Sequence, residues 1–240
     1  MTFIEIKKSL LALMCFAIVG TAVRADEFSV DKLYHPYVEA MKQELEWRVV
    51  TQNKPRGETK ASQSHRLGYG RAFGTRWFGE VYLIGDKKDG QSLELEAYEV
   101  EAIWQLSEQG EYWADWGMVF ELEKEDGVDI WEAATGLLVE KEHGRFSTLV
   151  NAKLIQEWGR DIADELESSL GVQTRYRYSA GFEPGLEFHS AQNTRALGPV
   201  FQGNIRLGQG RRFHWEFGIF AGLDANTPDS SMRGGIEYEF

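Results

Sequence analysis

The chain has 240 residues, with 26 Lys and Arg against 38 Asp and Glu, giving a formal net charge of −12. That balance excludes a nucleic-acid binder that works by neutralising phosphates, which needs clustered Lys and Arg. The single cysteine, Cys15, lies in the first apolar run, which excludes a disulfide framework for the rest of the chain.

Residues 1–25 have the build of a secretory signal. Lys7 and Lys8 precede an apolar run from Leu10 to Val19, and Val23 and Ala25 fit the −3 and −1 positions of a cleavage site. The run is too short for a membrane-spanning helix, which takes roughly 20 residues. No later stretch is apolar enough for one either. A closed β-barrel stays open as a membrane form, because it pairs every backbone polar group without a helix. Residues 26–42 show no regular period. The plainer reading is a disordered periplasmic lead-in; the sharper one is a segment folded into a barrel mouth.

From Gln43 onward the period becomes two, which predicts strands. Leu45, Trp47 and Val49 alternate with Glu44, Glu46 and Arg48. Weaker strands come next over 65–73 and 75–84; in the first, Arg71 shares the face of Leu67 and Tyr69 and puts that register in question. Tyr98, Val100, Ala102 and Trp104 then oppose Glu99, Glu101 and Gln105, and Trp116, Met118, Phe120 and Leu122 oppose Asp115, Glu121 and Glu123. The alternation recurs through Trp131–Val139, 146–154, 170–178, 186–188, 201–207 and 213–221. Connections after odd strands read as longer than those after even strands, which predicts loops on one side and tight turns on the other.

The closing strand carries Met232, Gly234, Ile236, Tyr238 and Phe240 on one face, with Arg233, Gly235, Glu237 and Glu239 on the other. It resembles the C-terminal strand of bacterial outer-membrane β-barrel proteins, where a terminal aromatic residue on an alternating strand serves as the assembly signal. The resemblance implies an all-β fold, a transmembrane antiparallel up-and-down barrel of about twelve strands (ten or twelve) over residues 43–240. It also implies the outer membrane of a Gram-negative bacterium after cleavage near Ala25, contact with outer-membrane lipid, and recognition by the barrel-assembly machinery through this strand.

Tryptophan phase supports a lipid-facing wall. Trp47, Trp77, Trp104, Trp116, Trp131, Trp158 and Trp215 all point outward on these phases, and Trp113 does not. Trp47, Trp77, Trp104, Trp116, Trp131 and Trp215, with Tyr238 and Phe240, make an aromatic girdle of the kind that sits at a membrane–water interface. The other face is charged. Glu99, Glu101, Glu121, Glu123, Glu132, Glu140, Glu216, Glu237 and Glu239 line the predicted lumen, as do Lys153, Arg175, Arg177 and Arg206. Acidic and basic groups fall on different arcs, predicting a transverse field that resembles porin constrictions.

The function expected from that resemblance is a narrow passive pore for small polar or cationic solutes. Two alternatives stand beside it: a non-conducting structural or docking barrel, and an enzyme acting on outer-leaflet lipid. For the enzyme, His189 and His214 are the inward histidines, but no serine and acid join them in a catalytic constellation. No cofactor motif occurs and no His/Cys set has metal-ligand spacing. The acidic loop from Glu123 to Asp129 lacks the full calcium-loop pattern.

Overall fold

A computed structural model describes residues 30–53, 61–88 and 90–240. The predicted signal segment and residues 26–29 lie outside the described residues. Strands β1 (Gln43–Asn53), β2 (Ala61–Phe73), β3 (Trp77–Lys88), β4 (Glu94–Gln105), β5 (Asp115–Glu125) and β6 (Ile130–His143) make the first half of the chain. The second half is β7 (Phe146–Gly159), β8 (Glu165–Tyr176), β9 (Glu183–Ala191), β10 (Thr194–Gly208), β11 (Arg211–Gly222) and β12 (Ser230–Glu239). Each strand pairs antiparallel with its sequence neighbours, and β12 pairs with β1 to close the ring. Closure removes the two free edges that an open sheet of these strands would present to lipid.

The wall is built inside out relative to a water-soluble sheet. Along β1 the inward Glu44, Glu46 and Arg48 are buried, while the outward Leu45 and Trp47 are 49% and 45% exposed. The same inversion holds at Tyr98 and Val100 against Glu99 and Glu101, and at Met232 and Ile236 against Arg233. Apolar surface on this scale is stable only against lipid or a partner. Strands of 9 to 15 residues suit the bilayer, where a tilted strand needs about 10.

Two sequence-based expectations need correction. Arg71 does lie on the outward face, and the register around it is regular: Gln43 opposes Arg71 and Arg71 opposes Gly79. Its guanidinium rests 5.3 Å from the Phe73 ring centroid, near the end of β2, where a long cation can reach the interface. The expected asymmetry of connections is absent. β1 runs on to Asn53, β3 to Lys88 and β7 to Gly159, absorbing residues read as loop. On the rim where β1 begins, the near rim, residues 106–114 make one of the longer connections. On the far rim, residues 192–193 make a tight turn.

Candidate functional site: a lumen filled from the N-terminal side

Register decides which inward side chains meet. Following cross-strand partners from β12 to β5, one row reads Glu239, Glu44, Gly70, Glu80, Glu101 and Glu121. A second row reads Glu237, Glu46, Gly68, Tyr82, Glu99 and Glu123, and continues to Glu132 on β6. Like charges directly opposite one another on a sheet are destabilising, so both rows demand cations.

Several of those cations come from strands other than the expected basic arc. Arg66 on β2 bonds Glu99, with Glu123 3.8 Å away. Lys153 reaches Glu121 at 2.7 Å. Arg233 on β12, with a side chain 2% exposed, sits 2.9 Å from Glu216 and 2.8 Å from Glu187. Arg175 pairs with Glu140 at 3.0 Å, Arg177 with Glu142, and Arg212 with Glu239. The expected arcs hold in part: the inward charges on β4, β5 and β6 are all carboxylates, whereas β1, β11 and β12 carry both signs and no purely basic arc faces them. Arg206 belongs to the inward phase but is exposed beside the β10–β11 turn on the near rim, directly across from Arg212.

Residues 30–42 occupy the lumen, and a disordered lead-in does not account for their contacts. Wall side chains satisfy the irregular backbone of this segment, as buried polar groups require. Asn151 accepts from Tyr34 N at 2.7 Å and donates to Tyr34 O at 3.0 Å. Gln105 accepts from Val38 N at 2.8 Å, and Arg233 donates to the carbonyls of Val30 and Asp31 at 3.2 and 2.5 Å. Apolar wall patches receive the side chains. Val30 packs with Val50, Ala196, Val200 and Phe220, and Tyr34 packs with Ala72, Phe78, Ile103, Val119 and Leu138.

Ion pairs tie the same segment to the wall. Asp31 lies 3.0 Å from Arg48 and 3.7 Å from Arg66. Lys32 bonds Glu46 and lies 3.2 Å from Glu237. His35 contacts Glu140 at 2.7 Å, Tyr37 donates to Asp115 at 2.8 Å, and Lys42 pairs with Glu44 and Glu239 at 2.5 and 3.1 Å. At Gly117 the segment passes close to the wall: a Cβ there would lie 2.9 Å from Pro36 Cα.

A cavity lies on each side of this segment. The larger, about 550 Å³, opens toward the near rim and is bordered by Glu39, Lys42, Glu108, Arg177 and Arg212. The smaller, about 80 Å³, lies beyond the segment against Glu121, Glu123, Glu132 and Lys153. Lys32, Leu33 and Tyr34 line both. They form the partition between them.

The aromatic residues divide between the rims. Trp77 stacks on Trp104 with centroids 5.2 Å apart, and Tyr238 stacks on Phe240 at 5.7 Å, all close to the near rim with Trp47, Trp116 and Trp215. Trp131 and Trp158 are cross-strand partners at the far rim, where Lys124 Nζ lies 5.3 Å from the Trp131 ring. Trp113 stands in the connection 106–114, edge-on to Trp116. Of the inward histidines, His189 contacts Glu187 at 2.6 Å beside Arg233, and His214 contacts Asn204 at 3.1 Å. Neither contact includes a serine.

No protein-family model matches the sequence, and no curated protein matches it either. Solved structures match in fold. The chain superimposes on a COG4313 outer membrane channel from Pseudomonas putida F1 with a TM-score of 0.57 and 12% identity, covering 91% of this chain and 99% of the other. The KdgM porin in complex with disordered oligogalacturonate gives 0.54 at 12% identity, covering 82% and 99%. The β domain of the Bordetella autotransporter BrkA gives 0.53 at 13%, covering 83% and 100%. The architecture is that of an outer-membrane β-barrel.

Proposed function

We propose that this chain is an outer-membrane channel for passive movement of small polar or cationic solutes, narrowed by its own residues 30–42. One observation carries the reading: Lys32, Leu33 and Tyr34 stand between two cavities inside a barrel whose wall is charged. Twelve strands lie between the eight that side chains alone can fill and the sixteen or more that leave an aqueous channel. Here the extra cross-section is taken up by a peptide rather than by the wall. A peptide held by hydrogen bonds and ion pairs can be displaced without breaking any strand pairing.

The solute class rests on the two carboxylate rows, which favour cations entering from either rim. The near rim is the periplasmic one in this reading, and the aromatic residues at both rims mark the lipid interfaces. Secretion by a signal cleaved near Ala25 and recognition of β12 by the assembly machinery complete it. Non-enzymatic action is supported by the histidines, which contact Glu187 and Asn204 rather than an activated nucleophile. Planar-bilayer recording tests the proposal. The full chain should give small, cation-selective steps, and a variant lacking residues 30–40 should give larger ones. Absence of conductance from both across a range of salts would overturn it.

A further inference from the structure

The carboxylate row through β12, β1, β3, β4 and β5 is compensated at its ends. Lys42 and Arg212 serve Glu239 and Glu44, and Lys153 serves Glu121. Its centre is different. Glu80 is 3% exposed and Glu101 1%, and they are direct cross-strand partners. Glu80 Oε1 and both carboxylate oxygens of Glu101 are buried with no hydrogen-bond partner. An uncompensated buried carboxylate is among the most costly arrangements a fold can hold, and two adjacent ones are worse.

Local sequence explains how Glu80 comes to face β1 across an intervening strand. The inward positions of β2 there are Gly68 and Gly70. A Cβ at Gly68 would lie 2.7 Å from Glu80 Oε1, and one at Gly70 would lie 3.3 Å from Glu80 Cδ. The Glu80 side chain therefore lies across bare backbone of β2 and meets Glu44 and Glu46. One carboxylate oxygen from each of Glu44, Glu46 and Glu80 falls within 4.8 Å of the other two. Lys42 pairs with Glu44 at 2.5 Å, and Lys32, shared with Glu237, and Arg48 at 3.4 Å attend Glu46, whereas among the described residues no ion pair reaches Glu80 or Glu101.

We propose that Glu44, Glu46 and Glu80, with Glu101 beside them, form a binding site for a hard divalent cation of the calcium or magnesium class. Such ions take carboxylate oxygens and water as ligands, and calcium tolerates irregular geometry. Access is present, because Glu44 and Glu80 border the larger cavity that opens at the near rim. The site does not depend on the barrel conducting, and its readout is equilibrium binding rather than current.

The test uses the full chain folded in detergent micelles and stripped of metal. Calcium chloride and magnesium chloride are titrated calorimetrically at constant ionic strength, alongside thermal unfolding with and without each ion. One ion should bind per chain and raise the unfolding temperature, as a ligand of the folded state must. Glu80→Gln and Glu101→Gln should each weaken binding by at least about tenfold, and Glu142→Gln, whose carboxylate pairs with Arg177, should leave it unchanged. Folding of each variant is checked by gel mobility before and after heating. The proposal is overturned if neither ion binds, or if Glu80→Gln binds as tightly as the parent. It is equally overturned if Glu80→Gln and Glu101→Gln stabilise the barrel with no ion dependence in the parent, since the carboxyls would then be held protonated.

Discussion

Asn151→Ala isolates the docking of residues 30–42 from the integrity of the wall. Asn151 is 2% exposed, and its amide makes both hydrogen bonds to the Tyr34 backbone. Removing it leaves one buried N–H and one buried C=O without partners. Each unsatisfied group costs about 1–3 kcal/mol, so the docked segment should lose about 2–6 kcal/mol relative to the released one. Water entering from the adjacent 80 Å³ cavity would pull the loss toward the lower end. Because each 1.4 kcal/mol is a factor of ten, even about 2 kcal/mol raises the released population by roughly 30-fold. The β7 backbone is untouched, as Asn151 keeps its ladder pairing with Leu138 and Gly171. Amide hydrogen exchange in micelles reads the effect directly. Protection at Tyr34 and Val38 should fall by about 30-fold or more, with β6, β7 and β8 amides unchanged. Loss of protection spread evenly over the wall, or none at Tyr34, would refute the reasoning.

Other residues give further tests. Arg233→Ala leaves the buried Glu187 with only Gln173 and His189 as partners and takes the cation from the part-buried Glu216, so the barrel should lose about 3 kcal/mol in denaturant titrations of the micelle-bound protein; a loss under about 1 kcal/mol would show the site to be wet. Gly117→Ala puts a methyl group against the Pro36 backbone, and single-channel current should rise as the segment shifts. Removing Phe240 deletes its N–H bond to Gln43 O at 2.9 Å and its stacking on Tyr238, and should lower the yield of heat-modifiable folded barrel; full yield would contradict it. Asp224 lies in the connection between β11 and β12, where the Thr227 hydroxyl and the Thr227 and Asn226 amides hold its carboxyl below the ordinary value of 3.8. A depressed carboxyl stabilises the loop fully above 3.8 and loses that contribution as pH falls through the lower folded value. The Thr227 amide resonance should therefore titrate below pH 3.8 and stop doing so in Asp224→Asn; a midpoint at or above that pH would exclude the loop contacts.

The wall is legible in the sequence because a strand's two faces are written at alternate positions and lipid demands apolar side chains on one of them. Parity alone places Trp47, Trp104, Met232 and Tyr238. The lumen is harder to read, because its contacts join residues far apart in sequence. Nothing in His35-Pro36-Tyr37 announces Glu140, Gly117 or Asp115 as neighbours, and the segment's hydrogen bonds go to side chains rather than to a ladder. Glu99, Glu101 and Glu121 are identifiable as inward residues, but their surroundings depend on register across several strands, which brings Arg66 to Glu99 and Lys153 to Glu121. Glu44, Glu46 and Arg48 read as one face of a strand without a role. Glu80 escapes sequence reasoning: its importance rests on two glycines of the neighbouring strand, and a missing side chain leaves no hydropathy signal. Arg71 looks misplaced because parity carries no information about depth in the membrane.

The joining of β12 to β1 has a consequence for how this molecule could be checked as it forms. The segment at 30–42 takes its partners from β1, β4, β6, β7 and β12, including Arg48 and Arg233 on the first and last strands of the chain. A seam slipped by one residue turns every side chain of one strand to the other face. Arg233 would then point to lipid, and the carbonyls of Val30 and Asp31 would lose their donor. Docking is thus a gauge of correct closure, available only to a ring whose first and last strands have met in the right register.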